Sequence, residues 1–152
     1  MPRYVALSAF CTALCALPLH VFAAVGDVIE PSKSGDSVRI SIGEQFTVAF
    51  DERGDRLVNP RRVEGAQERP VVTLKFSIEK KEHEIFRLLA INSSYPRILR
   101  YRAAARTSTT SEFRETNMFP LNPNIPVFEA WLDPFTELLL FDFHLTDEQP
   151  PK

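Results

Sequence analysis

The sequence predicts an all-β protein: an antiparallel, immunoglobulin-like β-sandwich of about seven strands, preceded by a cleaved signal peptide. Three observations carry this reading. Apolar and polar residues alternate over several short runs, the period of a half-buried strand. The chain holds twelve phenylalanines and twelve prolines, while helix-favouring runs are scarce. With no strong helical segment to cover a sheet, the apolar strand faces have to meet a second sheet.

The first 24 residues stand apart. Met1–Arg3 is a short basic start, Tyr4–Leu17 an apolar run, Pro18-Leu19-His20 a break, and Val21-Phe22-Ala23 a small-residue cleavage pattern ending at Ala23 or Ala24. That order is the layout of a secretory signal peptide, and the apolar run is shorter than the roughly 20 residues a membrane-spanning helix requires. Residues 25–146 are then the β domain and 147–152 a flexible tail ending in Pro-Pro-Lys. The two cysteines, Cys11 and Cys15, fall in the removed segment. They follow Phe10 and Leu14 rather than small residues, so no lipid anchor is expected. The mature chain has no cysteine and no disulfide to support it outside the cell. Arg3 is the only charged residue removed, leaving 17 basic against 20 acidic side chains, a formal charge of −3. This mildly acidic balance gives no support for nucleic-acid binding or for binding to an anionic membrane.

Taken in order, Asp27-Val28-Ile29 reads as a short edge strand stopped by Pro31. Ser37–Ile42 alternates, with Val38, Ile40 and Ile42 on one face. Gly43-Glu44 reads as a turn into the strand of Phe46, Val48 and Phe50, making a hairpin. Asp51–Gln67 carries turn signals at Gly54, Asn59-Pro60 and Gly65 and is expected to be a long solvated loop. Val71–Lys80 is a strand with Val72, Leu74, Phe76 and Ile78 towards the core. Lys80–Glu84 is a charged connection. Glu84–Asn92 is apolar on both sides, which suits a central, well-covered strand; an amphipathic helix over Lys80–Ile91 competes. Asn92–Pro96 is a loop. In Arg97–Arg106, Leu99, Tyr101, Ala103 and Ala105 share one face and Arg100, Arg102 and Arg106 the other, with Ala104 between them. Thr107–Asn117 has room for one irregular strand, and Phe119–Pro126, with three prolines, is an extended connection. Val127–Leu132 and Glu137–Leu145, joined by a turn at Asp133-Pro134, form a closing hairpin or adjacent strand pair, with Trp131 in the core.

Few groups have a chemical pattern. Asp142 and His144 are two apart on a strand and so share a face. A carboxylate beside an imidazole suits general-base work or a two-ligand metal site. The plainer reading is a polar outer face, with Phe141, Phe143 and Leu145 inward and no nucleophile nearby. No G-x-S-x-G elbow or glycine-rich phosphate loop occurs. His83 and His144 are the only zinc-type ligands left in the mature chain. Arg53 and Arg56 oppose calcium in the Asp51–Asp55 loop. No cofactor or metal is expected. Asn92-Ser93-Ser94 matches a glycosylation sequon. The arginine stripe of Arg97, Arg100, Arg102 and Arg106 is the strongest hint: it suits an acidic partner, or else acidic neighbours and a protected sheet edge.

Three stretches, SVRISIGEQFTVAFDERGD, NSSYPRILRYRAAAR and IPVFEAWLDPFTELLLFDFHL, together resemble small exported bacterial proteins of unknown function with an immunoglobulin-like sandwich. The resemblance implies a fold and no functional residue. The expected function is non-enzymatic binding of another protein or an envelope component, in the periplasm or outside the cell. The partner-binding residues would be Arg97, Arg100, Arg102 and Arg106. Alternatives are an inhibitor or immunity-type protein against a secreted hydrolase, a small hydrolase using Asp142 and His144, and a structural subunit of an envelope assembly.

Overall fold

The computed structural model describes residues 27–29 and 36–147. The predicted signal peptide and residues 148–152 of the tail lie outside the described residues. Ten strands are present: β1 (Val28–Ile29), β2 (Val38–Ser41), β3 (Gln45–Arg53), β4 (Arg56–Val63), β5 (Val71–Lys81), β6 (Glu84–Ser93), β7 (Ile98–Thr107), β8 (Phe113–Thr116), β9 (Val127–Trp131) and β10 (Phe135–Thr146). All pairings are antiparallel, and no helix occurs among the described residues. The strand order is β1-β8-β7-β10-β4-β3-β5-β6-β9, with β2 also on β10.

Alternation sets the inner face. Val38 and Ile40, Val48 and Phe50, Val72, Leu74 and Phe76, Leu89 and Ile91, and Leu99, Tyr101, Ala103 and Ala105 all enter one core cluster. Contacts across that core show the sheet curling over. Phe143 of β10 lies against Phe50 of β3 and Tyr101 of β7. Trp131 of β9 packs edge-on to Phe76 and Phe135, and its Nε1 donates to Thr116 Oγ1 of β8 at 3.2 Å. The last strand therefore faces the other end of the sheet, and Trp131 is a core residue.

Several expectations are corrected. Residues 37–50 do not form a hairpin: β2 pairs with β10, and β3 pairs with β4 and β5. At the crossing, Ile42 N donates to Thr136 O and Gly43 N to Phe76 O, with Gly43 at φ 89°, a conformation glycine adopts readily. Alternation fixes which face a residue occupies, not which strand lies beside it. The expected loop at Asp51–Gln67 is mostly the β3–β4 hairpin. Gly54 (φ 61°) and Asp55 form its two-residue turn between paired Arg53 and Arg56, and Asn59-Pro60 is taken up in a bulge with Asn59 at φ 51°. A proline at a bulge leaves the ladder intact on either side.

The helix alternative over Lys80–Ile91 gives way to the β5–β6 hairpin, whose turn is Glu82-His83. That hairpin outruns the core, so Ile78 is 54% and Ile85 52% exposed rather than inward-packed. β6 is not covered on both faces: Phe86, Leu88 and Ala90 are only half-buried, and Phe128 beside them on β9 is 54% exposed. Nor do β9 and β10 pair with each other, since β9 lies on β6 and β10 on β2, β4 and β7.

The largest correction concerns β10. Leu138 and Leu140 face the main core, as do Phe143 and Leu145, yet the first pair is even-numbered and the second odd. Between them a bulge sets two residues against one of β7, because Phe141 pairs with Arg102 and His144 with Arg100. Asp142, at φ 56°, takes up the extra residue. Phe141 therefore does not share the inner face with Phe143 and Leu145. It joins Leu139, Ala104, Phe113 and Ile29 in a second cluster on the outer side. Aspartate tolerates this left-handed conformation better than branched residues do. Asp142→Val is expected to destabilise the protein by about 1–2 kcal/mol more than Asp142→Gly, the strain a side chain meets there, as read by urea denaturation.

Candidate functional site

The predicted arginine stripe divides in the structure. Arg97 precedes β7 and reaches away from it, with Nη1 2.7 Å from Asp55 Oδ1 and Nε 2.9 Å from Asp147 Oδ1. These hydrogen bonds raise its pKa above the ordinary arginine value. Arg100, Arg102 and Arg106 do share the outer face of β7, since Leu99, Tyr101, Ala103 and Ala105 face the core and alternate residues point oppositely. Arg102 forks onto Glu115 of β8, two bonds of 2.7 Å each, and lies over the Phe141 ring. That fork holds the Glu115 carboxyl below the usual range. Arg106 Nε donates to Glu137 Oε2 at 2.8 Å, and Arg39 of β2 reaches the same carboxylate at 3.0 Å. Both guanidiniums also lie over the Phe113 ring, and Glu137 is 8% exposed. Planar guanidinium forks suit such bidentate and stacked contacts.

Arg100 is the member of the stripe with no ion pair among the described residues. It stands opposite His144 of β10. His144 in turn stands opposite Arg56 of β4, and Arg56 opposite Arg53 of β3. Directly paired residues project to one face. Arg53, Arg56, His144 and Arg100 thus form a basic row across four neighbouring strands. Of the acidic groups beside it, Asp142 lies 3.7 Å from Arg56 and is exposed, while Asp55, in the turn between Arg53 and Arg56, is engaged by Arg97. Sequence reasoning missed Arg53 and Arg56 because it placed them in a loop. The signal available was the two-residue spacing of Gly54-Asp55, which puts their flanking residues opposite each other.

The Asp142–His144 constellation does not assemble. The Asp142 carboxylate is directed at Arg56, and His144 Nδ1 lies 3.1 Å from the backbone oxygen of Asp142. A carbonyl only accepts, so Nδ1 carries the proton in that bond. The ring is oriented by main chain and not by a carboxylate.

A different carboxylate is buried. Glu129, on the inner side of β9, is 4% exposed and accepts the Phe119 N–H at 2.8 Å, tying the proline-rich segment 117–126 to β9. Burial raises its pKa above the ordinary value, the backbone bond only partly opposing this. The nearby Tyr101 hydroxyl is buried without a hydrogen-bond partner among the described residues. Its pKa is pushed well up by burial and by the charge of Glu129. A cleft of about 400 Å³ lies elsewhere, lined by Phe50, Asp51, Glu52, Arg69, Pro70 and Tyr95. Its Asp51 is engaged by Arg61 and Asn59, and burial pushes the Tyr95 phenol up to about 12. At the sequon, the Asn92 side-chain oxygen is buried, and Ser94 Oγ accepts from Val71 N.

Among the described residues there is no group of three or more His, Cys, Asp or Glu side chains placed to hold a metal ion. No helix long and apolar enough to cross a membrane occurs among the described residues. The geometry defines the class as an antiparallel all-β protein with an arginine-rich outer face. No family model, no curated protein and no solved structure matches the chain.

The raised pKa of Glu129 has a definite sign. Folding favours its protonated form, so that contribution to stability is fully present below the ordinary value of 4.5 and is lost as pH rises through the folded-state pKa. Glu129→Gln keeps an acceptor for Phe119 N–H and removes the buried charge. Its melting temperature is expected to exceed that of the parent at pH 7, with the difference vanishing below pH 4.5 in a thermal-denaturation series.

Proposed function

We propose that this chain is an exported, non-enzymatic β-sandwich protein of immunoglobulin-like type that binds an acidic partner protein of the cell envelope or secretome. The observation that carries the reading is Arg100. Arg97, Arg102 and Arg106 are satisfied by carboxylates of the chain itself. Arg100 is left unpaired among the described residues, in register with His144 and Arg56. The partner-binding role predicted for the four arginines therefore falls chiefly on Arg100, with Arg97, Arg102 and Arg106 shaping the surface around it. Export is supported by the basic, apolar and small-residue order of residues 1–24. The non-enzymatic reading is supported by the Asp142 carboxylate and the His144 ring having separate partners.

The test is capture of partners from envelope extract by the mature chain and by its Arg100→Glu variant. Charge reversal at a rim position acts on association and its salt dependence. Capture is expected to fall about tenfold, equivalent to about 1.4 kcal/mol, with no loss of melting temperature. Equal capture of every partner by both proteins would remove Arg100 from the binding surface.

A further inference from the structure

We propose that the basic row Arg53–Arg56–His144–Arg100 is a docking surface for an acidic α-helix of the partner, laid across the strands so that its carboxylates supply the counter-charges this chain omits. This rests on the binding function proposed above and narrows it. The row is set apart from most of the chain's arginines. Arg39, Arg61, Arg62, Arg97, Arg102, Arg106 and Arg114 each reach a carboxylate of the same chain. Arg53 and Arg100 reach none among the described residues, nor do Arg69 and, bonded to the Phe135 carbonyl, Arg87 outside the row, and the contact of Arg56 with Asp142 is long and exposed. Arg53 and Arg56 are nevertheless placed directly opposite each other, where like charges destabilise a sheet, and His144 and Arg100 continue the row on the next two strands. Within the chain the long Asp142 contact offsets part of that repulsion, and an external anion relieves it further.

Spacing favours a helix. Neighbouring strands lie about 4.7–4.9 Å apart, so three intervals span roughly 14–15 Å. Carboxylates at i, i+4, i+7 and i+11 of a helix lie on one face, and at 1.5 Å per residue they span about 16–17 Å. An extended acidic strand places same-face side chains roughly 6.7 Å apart, so four of them span about 20 Å and overrun the row. The arginines present forks suited to carboxylates. The guanidiniums of Arg53, Arg56 and Arg100 supply the donors, and the His144 ring, held at Nδ1 by its own backbone contact, fills the row between Arg56 and Arg100.

The test is fluorescence anisotropy at low salt with the mature protein and three probes: a labelled helical peptide carrying Glu at i, i+4, i+7 and i+11, an isomer of the same composition made extended by proline, and inorganic polyphosphate. The helical peptide is expected to bind at least about tenfold more tightly than its isomer. That affinity should drop by a similar factor in Arg53→Ser/Arg56→Ser/Arg100→Ser and persist in Arg114→Ser. The triple variant should melt no lower than the parent, because the like-charge opposition is relieved. Equal binding of helix and isomer overturns the helical partner, and preference of the row for polyphosphate overturns it in favour of an anionic polymer. If Arg100→Glu still abolishes capture from extract in either case, the broader binding function stands. Helix binding unaffected by the triple variant removes the row itself.

Discussion

The fold depends on β10 having three neighbours. Among the described residues, β10 is the sole strand-paired link between the β1-β8-β7 group and the β4-β3-β5-β6-β9 group in the strand order, and β10 is the strand that β2 pairs with. One strand can pair with β2 and then β4 along the same edge only if it bends between them. The bend falls at Asp142, after the residues opposite β2 and just before His144, which meets Arg56. Bulges bend strands and increase local twist, and that twist lets the sheet curl until Trp131 meets Thr116. The inner cluster, with Phe50 and Tyr101 against Phe143, follows from this geometry.

Charge is distributed in the same economical way. On the outer side of β7, arginines lie over the rings of Phe113 and Phe141 and end on Glu115 and Glu137. The aliphatic stems and planar heads cover apolar surface that would otherwise face water, so the second cluster needs no further layer of protein. Most of the predicted stripe is therefore part of the fold's own covering. Nearer the β3–β4 turn, Arg53 and Arg100 fall outside this arrangement, without an ion pair among the described residues.

Faces were legible in the sequence where alternation was regular. Val72, Leu74 and Phe76, and Leu99 through Ala105, lie where a period of two places them, and Trp131 is buried as a lone tryptophan beside an apolar strand should be. Partners were not legible, because pairing depends on residues far apart in the chain: nothing local to Val38 and Ile40 reports that Leu140 and Leu138 lie beside them. Left-handed residues were the second source of error. Asn59 and Asp142 look like loop and outer-face residues, and both sit inside strands. For the candidate site, Arg100 was visible from sequence, while its companions needed the β3–β4 hairpin and the β10 bulge to be known.

Residues 137–145 of β10 read ELLLFDFHL, an apolar block after Glu137 followed by a single acidic residue and a return to alternation. Asp142 acts there much as an inserted base acts in a reading frame. Upstream, the even positions are interior; downstream, the odd ones are. The four leucines and two phenylalanines of that stretch are thereby divided between two separate apolar clusters, Leu138, Leu140, Phe143 and Leu145 on one and Leu139 and Phe141 on the other. Shortening the strand by this one residue would leave its composition almost untouched and yet turn everything beyond it inside out, so the fold rests on the spacing of the strand as well as on its hydrophobicity.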